Sequence, residues 1–295
     1  MRDTLRRARF AAQCRALWSS APVSLDRSSQ IALLSQVQRK DVLMYLLAVK
    51  SFCNRIKPGA IFVLDDGSLR ENDRERLVGH IPGVAFLALS SYRSRACPTG
   101  GTWERLLAIS ALVDEHYVIQ LDSDTLALGP IEEVSECARR NRSFVLGTWD
   151  RQEIETMHER WDTARKLNRG AGSHIQLVAE ANFDRLREFA SLRYVRGCSG
   201  FAGFGRRSFA RDFIDGISAQ MRGALGDRWA EWGSEQVMSN IVVANIENSM
   251  VLPHPKYADC HKMKEGESEF VHFIGSCRFD NGTYAALARQ VMQAL

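Results

Sequence analysis

Asp122 and Asp124, one residue apart, stand directly after an apolar run, Tyr117 to Leu121, that reads as a strand buried on both faces. Side chains two apart in an extended segment project to the same side. Both carboxylates therefore aim at one point beyond the strand's carboxyl end, where open α/β sheets bind ligands. Paired hard oxygen ligands suit a divalent cation that is itself holding phosphate oxygens. The same Asp-Ser-Asp also makes good turn chemistry, because Asp and Ser side chains hydrogen-bond nearby backbone.

A phosphatase-type Asp-x-Asp-x-Thr pattern is the competing reading of this stretch. It is not met, since Thr125 comes one place too early and Leu126 fills the required position. Further groups able to do chemistry lie elsewhere. Asp65-Asp66-Gly67-Ser68 closes a second apolar run, Ala60 to Leu64. Arg196 to Gly205 alternates glycines with aromatics, which either lets a ligand or another backbone come close or marks a bulged strand. Glu235-Gln236 follows Ser234, a plausible N-cap for a helix reaching Ile246. Phe270 to Arg278 sets His272 in a short apolar strand, followed by Gly275 and Arg278.

The elements that position these groups alternate. Strands are expected at Ile31–Val37, Ala60–Leu64, Val84–Leu89, Tyr117–Leu121 and Phe144–Gly147. Helices are expected at Asp41–Arg55, Arg70–His80, Thr102–Val113 and Arg151–Arg169, with another through Phe209, Phe213, Ile217 and Met221. A Gly-containing loop, Arg169 to Ser173, follows the fourth of these helices. Strand–helix alternation of this length implies right-handed crossovers and a Rossmann-like, mostly parallel sheet. The Gly-x-Gly-x-x-Gly fingerprint of dinucleotide binders is missing. No linker or repeat divides the chain, so 1–295 reads as one α/β domain. About 30–128 is the half holding the first acidic groups, about 129–295 closes the site, and 1–25 is a basic amino-terminal helix.

Composition narrows the function classes. The chain has 295 residues, 45% hydrophobic and 25% charged, enough for a large core. A formal net charge of +4 with interspersed acids argues against a nucleic-acid binder. The longest apolar run, Val42 to Val49, is far short of a membrane span, and no secretory signal is visible in the first residues. Seven cysteines without Cys-x-x-Cys are expected to be free thiols in a reducing, cytoplasmic compartment. The arginines near the amino terminus, with Leu5, Phe10, Leu17 and Trp18, allow two readings: peripheral contact with an anionic membrane, or a helix packed on its own domain.

Taken together, Ile119 to Asp124 (strand plus Leu-Asp-x-Asp), His272 to Arg278 (His-Phe-x-Gly-x-x-Arg), Glu235-Gln236 and Cys198-Ser199-Gly200 resemble the GT-A fold glycosyltransferases. The likeness is to the retaining family 8 enzymes, the group of glycogenin and the bacterial lipopolysaccharide galactosyl- and glucosyltransferases. It spans roughly residues 30 to 280. Arginine replaces the family's lysine at 278, Cys198 its usual asparagine, and Glu235 an aspartate. The first strand ends Ser35-Gln36-Val37-Gln38 without the usual nucleotide-side Asp or Asn.

The resemblance implies transfer of a sugar from a nucleotide diphosphate, a UDP-hexose, to an acceptor that is a glycan, lipid, protein or small molecule. It implies Mn²⁺ or Mg²⁺ held by Asp122, Asp124 and His272, mixed nitrogen and oxygen ligation leaning to Mn²⁺. Donor contacts fall to Asp65, Asp66, Arg105, Ser123, Gly200, Gly275 and Arg278, with Gly200 and Gly203 giving the sugar room. Gln236 and Glu235 face the anomeric carbon, Gln236 stabilising an oxocarbenium-like centre with retention. An inverting mechanism would use Glu235 as base. Two other classes compete: a silent nucleotide-sugar binding protein, and a sugar nucleotidyltransferase. The second normally has a Gly-rich basic loop after strand one, where this chain has Gln38-Arg39-Lys40.

Overall fold

A computed structural model describes residues 2–168, 170 and 172–295. Arg169 and Ala171, within the loop expected over 169–173, lie outside them. The strands are β1 (Ile31–Val37), β2 (Ala60–Asp65), β3 (Ala85–Ala88), β4 (Tyr117–Leu121), β5 (Thr125–Ala127), β6 (Phe144–Leu146), β7 (Glu155–Thr156), β8 (Arg193–Tyr194), β9 (Cys198–Phe204), β10 (Met250–Val251), β11 (Tyr257–Asp259) and β12 (Phe270–His272). The α-helices are α1 (Arg2–Gln13), α2 (Val42–Cys53), α3 (Glu71–His80), α4 (Trp103–Leu112), α5 (Glu132–Arg139), α6 (Met157–Leu167), α7 (Ile175–Glu180), α8 (Arg211–Leu225), α9 (Ser234–Ala244) and α10 (Thr283–Gln293).

Seven strands form the central sheet in the order β10-β6-β9-β4-β1-β2-β3. β3, β2, β1 and β4 run parallel, while β9 is antiparallel to both β4 and β6. The expected mostly parallel sheet is thus present, and the chain reverses its winding between β1 and β4. That is a topological switch point, where the crossovers leave a crevice at the strand ends. All five residues of β4 are buried, as its uninterrupted apolar run requires. Alternate side chains feed two cores: Leu33, Ile61 and Ile119 pack with α2 on one face, and Leu34, Leu64 and Val118 with α4 and α9 on the other. α2 is apolar on nearly every side and is buried almost throughout. α3, rich in charge, buries only Leu77.

A second sheet, β11-β12-β5, was not apparent in the sequence. β5 begins one residue after Asp124, and its antiparallel pairing with β12 sets His272 opposite Thr125. This short ladder carries the histidine across 148 positions to the aspartates.

Several expectations are corrected. Ser234 is the first helical residue of α9, not its cap; Gly233, at φ 102°, takes the cap position because that left-handed turn suits glycine. The helix expected over 151–169 is shorter, starting at Met157 after the strand β7, with Thr156 capping it through Glu159. Cys260 and Cys277 form a disulfide, so the cysteines are not all free thiols and the argument for a reducing compartment loses that premise. α1 packs on its own domain: Phe10 stacks on Tyr284 with ring centroids 4.7 Å apart, and Arg7 pairs with Asp41 at 2.7 Å. Among the described residues no helix is long and apolar enough to cross a membrane.

Candidate active site

β4 ends where the sheet's winding reverses, and its continuation presents Asp122 and Asp124 to the crevice. The loop between β4 and β5 is fixed at both sides: Asp122 N–H donates to Gly200 of β9 (2.9 Å), Thr125 Oγ1 to the Asp122 carbonyl (2.8 Å) and Phe273 N–H to the Asp124 carbonyl (2.8 Å). His272 Nε2 lies 3.1 Å from Asp124 Oδ1 and 3.7 Å from Asp122 Oδ2. The other imidazole nitrogen, Nδ1, is 3.2 Å from Cys198 Sγ, so the cysteine backs the ring while Nε2 faces the carboxylates.

A Cβ on Gly200 would overlap the His272 ring, and one on Gly203 would overlap Phe144 and approach Tyr117 Oη. These two glycines make room for protein rings. Another backbone does come close at Gly205, where a Cβ would stand 2.6 Å from the Asn141 carbonyl oxygen, and β9 carries an irregular register against β6 at Val145/Leu146.

Arg105, on α4, is 4% exposed and sits between two acids, pairing with Asp122 through Nη1 and lying 3.4 Å from Glu235 Oε2 through Nη2. It is thus engaged by carboxylates rather than held out toward a phosphate. Glu235, 2% exposed, also accepts from Thr102 Oγ1 (2.8 Å) and Ser199 Oγ (3.3 Å). Glu235 Oε1 and Arg105 Nε remain buried without a partner. Gln236 is only half-buried, and its Oε1 accepts from Ser199 N–H (3.3 Å). Arg278 reaches the cluster from the turn after β12, its Nε 3.5 Å from Asp124 Oδ2. Gly275 opens that turn at φ 54° with empty space where a side chain would stand.

Asp65 and Asp66 lie at the end of β2, two strands from β4. Asp65 accepts from Gly67 N–H (2.8 Å) and pairs with Arg74, while exposed Asp66 accepts from Ser68 N–H (2.9 Å). Both carboxylates hold the β2 turn, and neither joins the Asp122–His272 cluster. Thr102 was missed in the sequence. It has φ 72°, unusual for a β-branched residue, and its hydroxyl reaches Glu235; the preceding Gly100-Gly101 before a helix was the available signal.

Electrostatics follow from burial and convergence. Desolvation raises the Asp122 carboxyl against the pull of Arg105 and His272. Asp124 is also desolvated, but the neighbouring His272 and Arg278 charges outweigh that and hold its carboxyl below the usual range. Burial works against the His272 imidazolium, yet Cys198 and Asp124 beside it raise it well above its ordinary value. Desolvation raises Glu235 despite Arg105. Two carboxylates and an imidazole thus converge on one point, with Arg105 and Arg278 as their counter-charges.

The ligand atoms of Asp122, Asp124 and His272 all lie within 4.8 Å of one another. An ion with metal–oxygen distances of about 2.0–2.2 Å bridges such atoms after small side-chain rotations, so the residues fit a divalent cation. No protein-family profile and no curated protein matches the chain. Solved structures do. The apo form of the bifunctional glycosyltransferase WbbM aligns with a TM-score of 0.55 at 10% identity, covering 92% of this chain and 51% of that one. An active-site mutant of LgtC aligns with a TM-score of 0.50 at 10% identity, covering 90% and 96%.

The fold is the GT-A glycosyltransferase fold. The chain spans about half the length of WbbM and nearly the whole of LgtC. In this GT-A sheet, β4 supplies the two aspartates, β12 the histidine, and α4 and α9 the buried Arg105–Glu235 pair.

Proposed function

We propose that the chain is a metal-dependent glycosyltransferase that moves a sugar, a hexose carried on UDP, from its nucleotide diphosphate to an acceptor with retention of configuration. The observation that carries the reading is the convergence of Asp122, Asp124 and His272 at the switch point of a GT-A sheet. A divalent ion held by these three, Mn²⁺ or Mg²⁺, would stabilise the negative charge that develops on the leaving diphosphate.

The chain's own groups do the rest. Arg278 points a guanidinium at the same place and can bind phosphate oxygens bidentately. Arg105 keeps Asp122 and Glu235 fixed, which pre-organises the acidic floor before substrate arrives. Of the Glu235-Gln236 pair, Gln236 retains solvent-facing surface while Glu235 is enclosed by Arg105, Thr102 and Ser199. This supports Gln236 as the group beside the anomeric carbon and disfavours Glu235 as a base taking a proton from an incoming acceptor. The main-chain edge at Ser123 and the open flank of Gly275 are the remaining donor-side contacts we assign. The turn aspartates Asp65 and Asp66 are assigned to the nucleoside end.

A panel of nucleotide sugars with Mn²⁺ or Mg²⁺ tests the reading. Release of UDP from one of them, abolished by EDTA and in Asp124→Ala and His272→Ala, is the expected result. Neither hydrolysis, transfer nor saturable binding from any donor would overturn it. Saturable binding without turnover in the presence of acceptor extracts would make the chain a binding protein, and pyrophosphate release from a nucleoside triphosphate would make it a nucleotidyltransferase. The anomeric configuration of the product, read by NMR, tests retention.

A further inference from the structure

The packing of α1 onto α10 leaves a cavity of about 500 Å³ that shares Arg278, and no other residue, with the reaction scheme. Its wall carries Arg6 and Arg9 from α1, Arg289 from α10, and Arg278 and Asp280 from the segment between β12 and α10, over Phe10. Four arginines against one aspartate give the lining a formal charge of +3, 4 − 1. The single acid is already used, Arg6 pairing with Asp280 at 2.6 Å. Arg9 and Arg289 make no ion pair with any described residue. Arg278 spends its Nε on the Gly275 carbonyl at 3.0 Å and lies 3.5 Å from Asp124, and its two terminal nitrogens are those assigned above to the donor phosphates. Like charges gathered around a concave space repel one another unless an anion sits among them.

We propose that this cavity binds a phosphate-bearing molecule, gripped by Arg9 and Arg289, with Arg278 left to the donor site on the side nearest Asp124. Guanidinium forks match phosphate oxygens in shape and charge. The volume exceeds what inorganic phosphate fills and lies within the range of about 300–1,000 Å³ typical of small-molecule sites. Phe10, with Phe279 and Ala285, supplies an apolar side for the ester portion. The shared chemistry, a phosphomonoester, can come from a soluble phosphorylated molecule or from a lipid headgroup presented at a surface. In either case the grip requires no metal, unlike the donor site proposed above, so it stands or falls separately from the transferase reading.

The test uses the full chain in EDTA. Inorganic phosphate and a hexose phosphate are titrated calorimetrically, and flotation is measured with phosphatidylcholine vesicles with and without phosphatidic acid. Saturable binding is expected, weakened about tenfold by each of Arg9→Ala and Arg289→Ala and partly retained in the lysine variants. Both arginines are exposed, so unchanged thermal melts are expected in the variants. Loss of hexose phosphate binding in the double alanine variant identifies a soluble ligand; loss of flotation alone identifies a headgroup, and either supports the site. No saturable binding of any probe, or equal binding by wild type and double variant, overturns it. Mn²⁺-dependent donor binding measured on the same variants is expected to be unchanged, which keeps the two readings distinguishable.

Discussion

The chain buries ionisable groups in two places, and the two clusters differ in a way that separates structure from chemistry. At the strand ends Glu235 is 2% exposed beside Arg105; in the helical half Glu180 is 0% exposed, 3.3 Å from Arg196. Each glutamate keeps one oxygen without a partner, and burial raises both carboxyls, that of Glu180 to about 7. By these measures the two look alike. The strand-end cluster, however, gathers three acids, an imidazole and two arginines on one point, with Asp122 and Arg278 still 28% and 25% exposed. Glu180 instead is sealed beneath Tyr194 and Arg196, with no second carboxylate hydrogen-bonded to the same partners among the described residues. A perturbed carboxyl therefore marks burial; convergent ligand atoms with a route to solvent mark a site.

If that distinction is right, changes at the two clusters should have effects of different kinds. The largest falls on Asp124→Asn, which keeps shape and removes a charge from the proposed metal site. Turnover of the donor should drop by about 10³-fold, equivalent to several kcal/mol of lost stabilisation of the leaving group, with little change in thermal stability. Wild-type rates in this variant would dissolve the comparison.

Next comes Glu180→Gln. The folded value of about 7 lies above the ordinary 4.5. Hence the contribution of Glu180 to stability is complete below pH 4.5 and is lost as pH rises through about 7. Between pH 5 and 8 that loss is on the order of 2–3 kcal/mol. Urea unfolding at the two pH values should show the variant lacking this part of the slope, with turnover unaffected. Identical slopes would mean that Glu180 is ionised and fully compensated in the native chain.

The first half of the fold was legible because β2 and β4 are short continuous apolar runs closed by Asp, and α2 and α4 have broad apolar faces. The site was legible where residue type alone restricts the chemistry: Asp122, Asp124 and His272 meet as their spacing and the family pattern implied. What escaped depends on long-range pairing. The short strand holding His272 was read, but β5 and β11 are three residues each and carry no periodic signal, so the ladder that delivers His272 was not. The disulfide joins cysteines 17 positions apart without a motif. The His272 ring against Gly200 also escaped, because sequence shows that a glycine leaves space but not what fills it.

That last point yields a smaller effect within the site. Gly200→Ala should push the His272 ring off its present position and weaken Mn²⁺ binding by about 10–100-fold, the range expected when support for a metal ligand is disturbed. Gly203→Ala meets Phe144 instead and should lower stability through the core while leaving Mn²⁺ affinity alone. Titration of Mn²⁺ into both variants checks this. Equal affinities would show that the imidazole is not a ligand.

The smallest effect returns to the sealed cluster. Tyr194 Oη donates to Glu180 Oε1 at 3.0 Å and is itself completely buried. Its hydroxyl stabilises the carboxylate form, so Tyr194→Phe removes the only neutral donor to Glu180 among the described residues and moves the carboxyl further upward. At pH 5 the glutamate is protonated in the fold with or without the hydroxyl, and the variant should cost little. At pH 8 the unfolded chain is ionised, and the penalty for burying the acid grows by about 1.5 kcal/mol, the worth of one hydrogen bond to a charged group at its lower end. Unfolding at the two pH values should therefore separate Tyr194→Phe from wild type only on the alkaline side. When Glu180→Gln is already present, the same tyrosine change should lose its pH dependence, since the group it acts through no longer titrates. A Tyr194→Phe effect that persisted at all pH values in the double variant would place the hydroxyl's role in accepting from Gln176 Nε2 rather than in the charge of its neighbour.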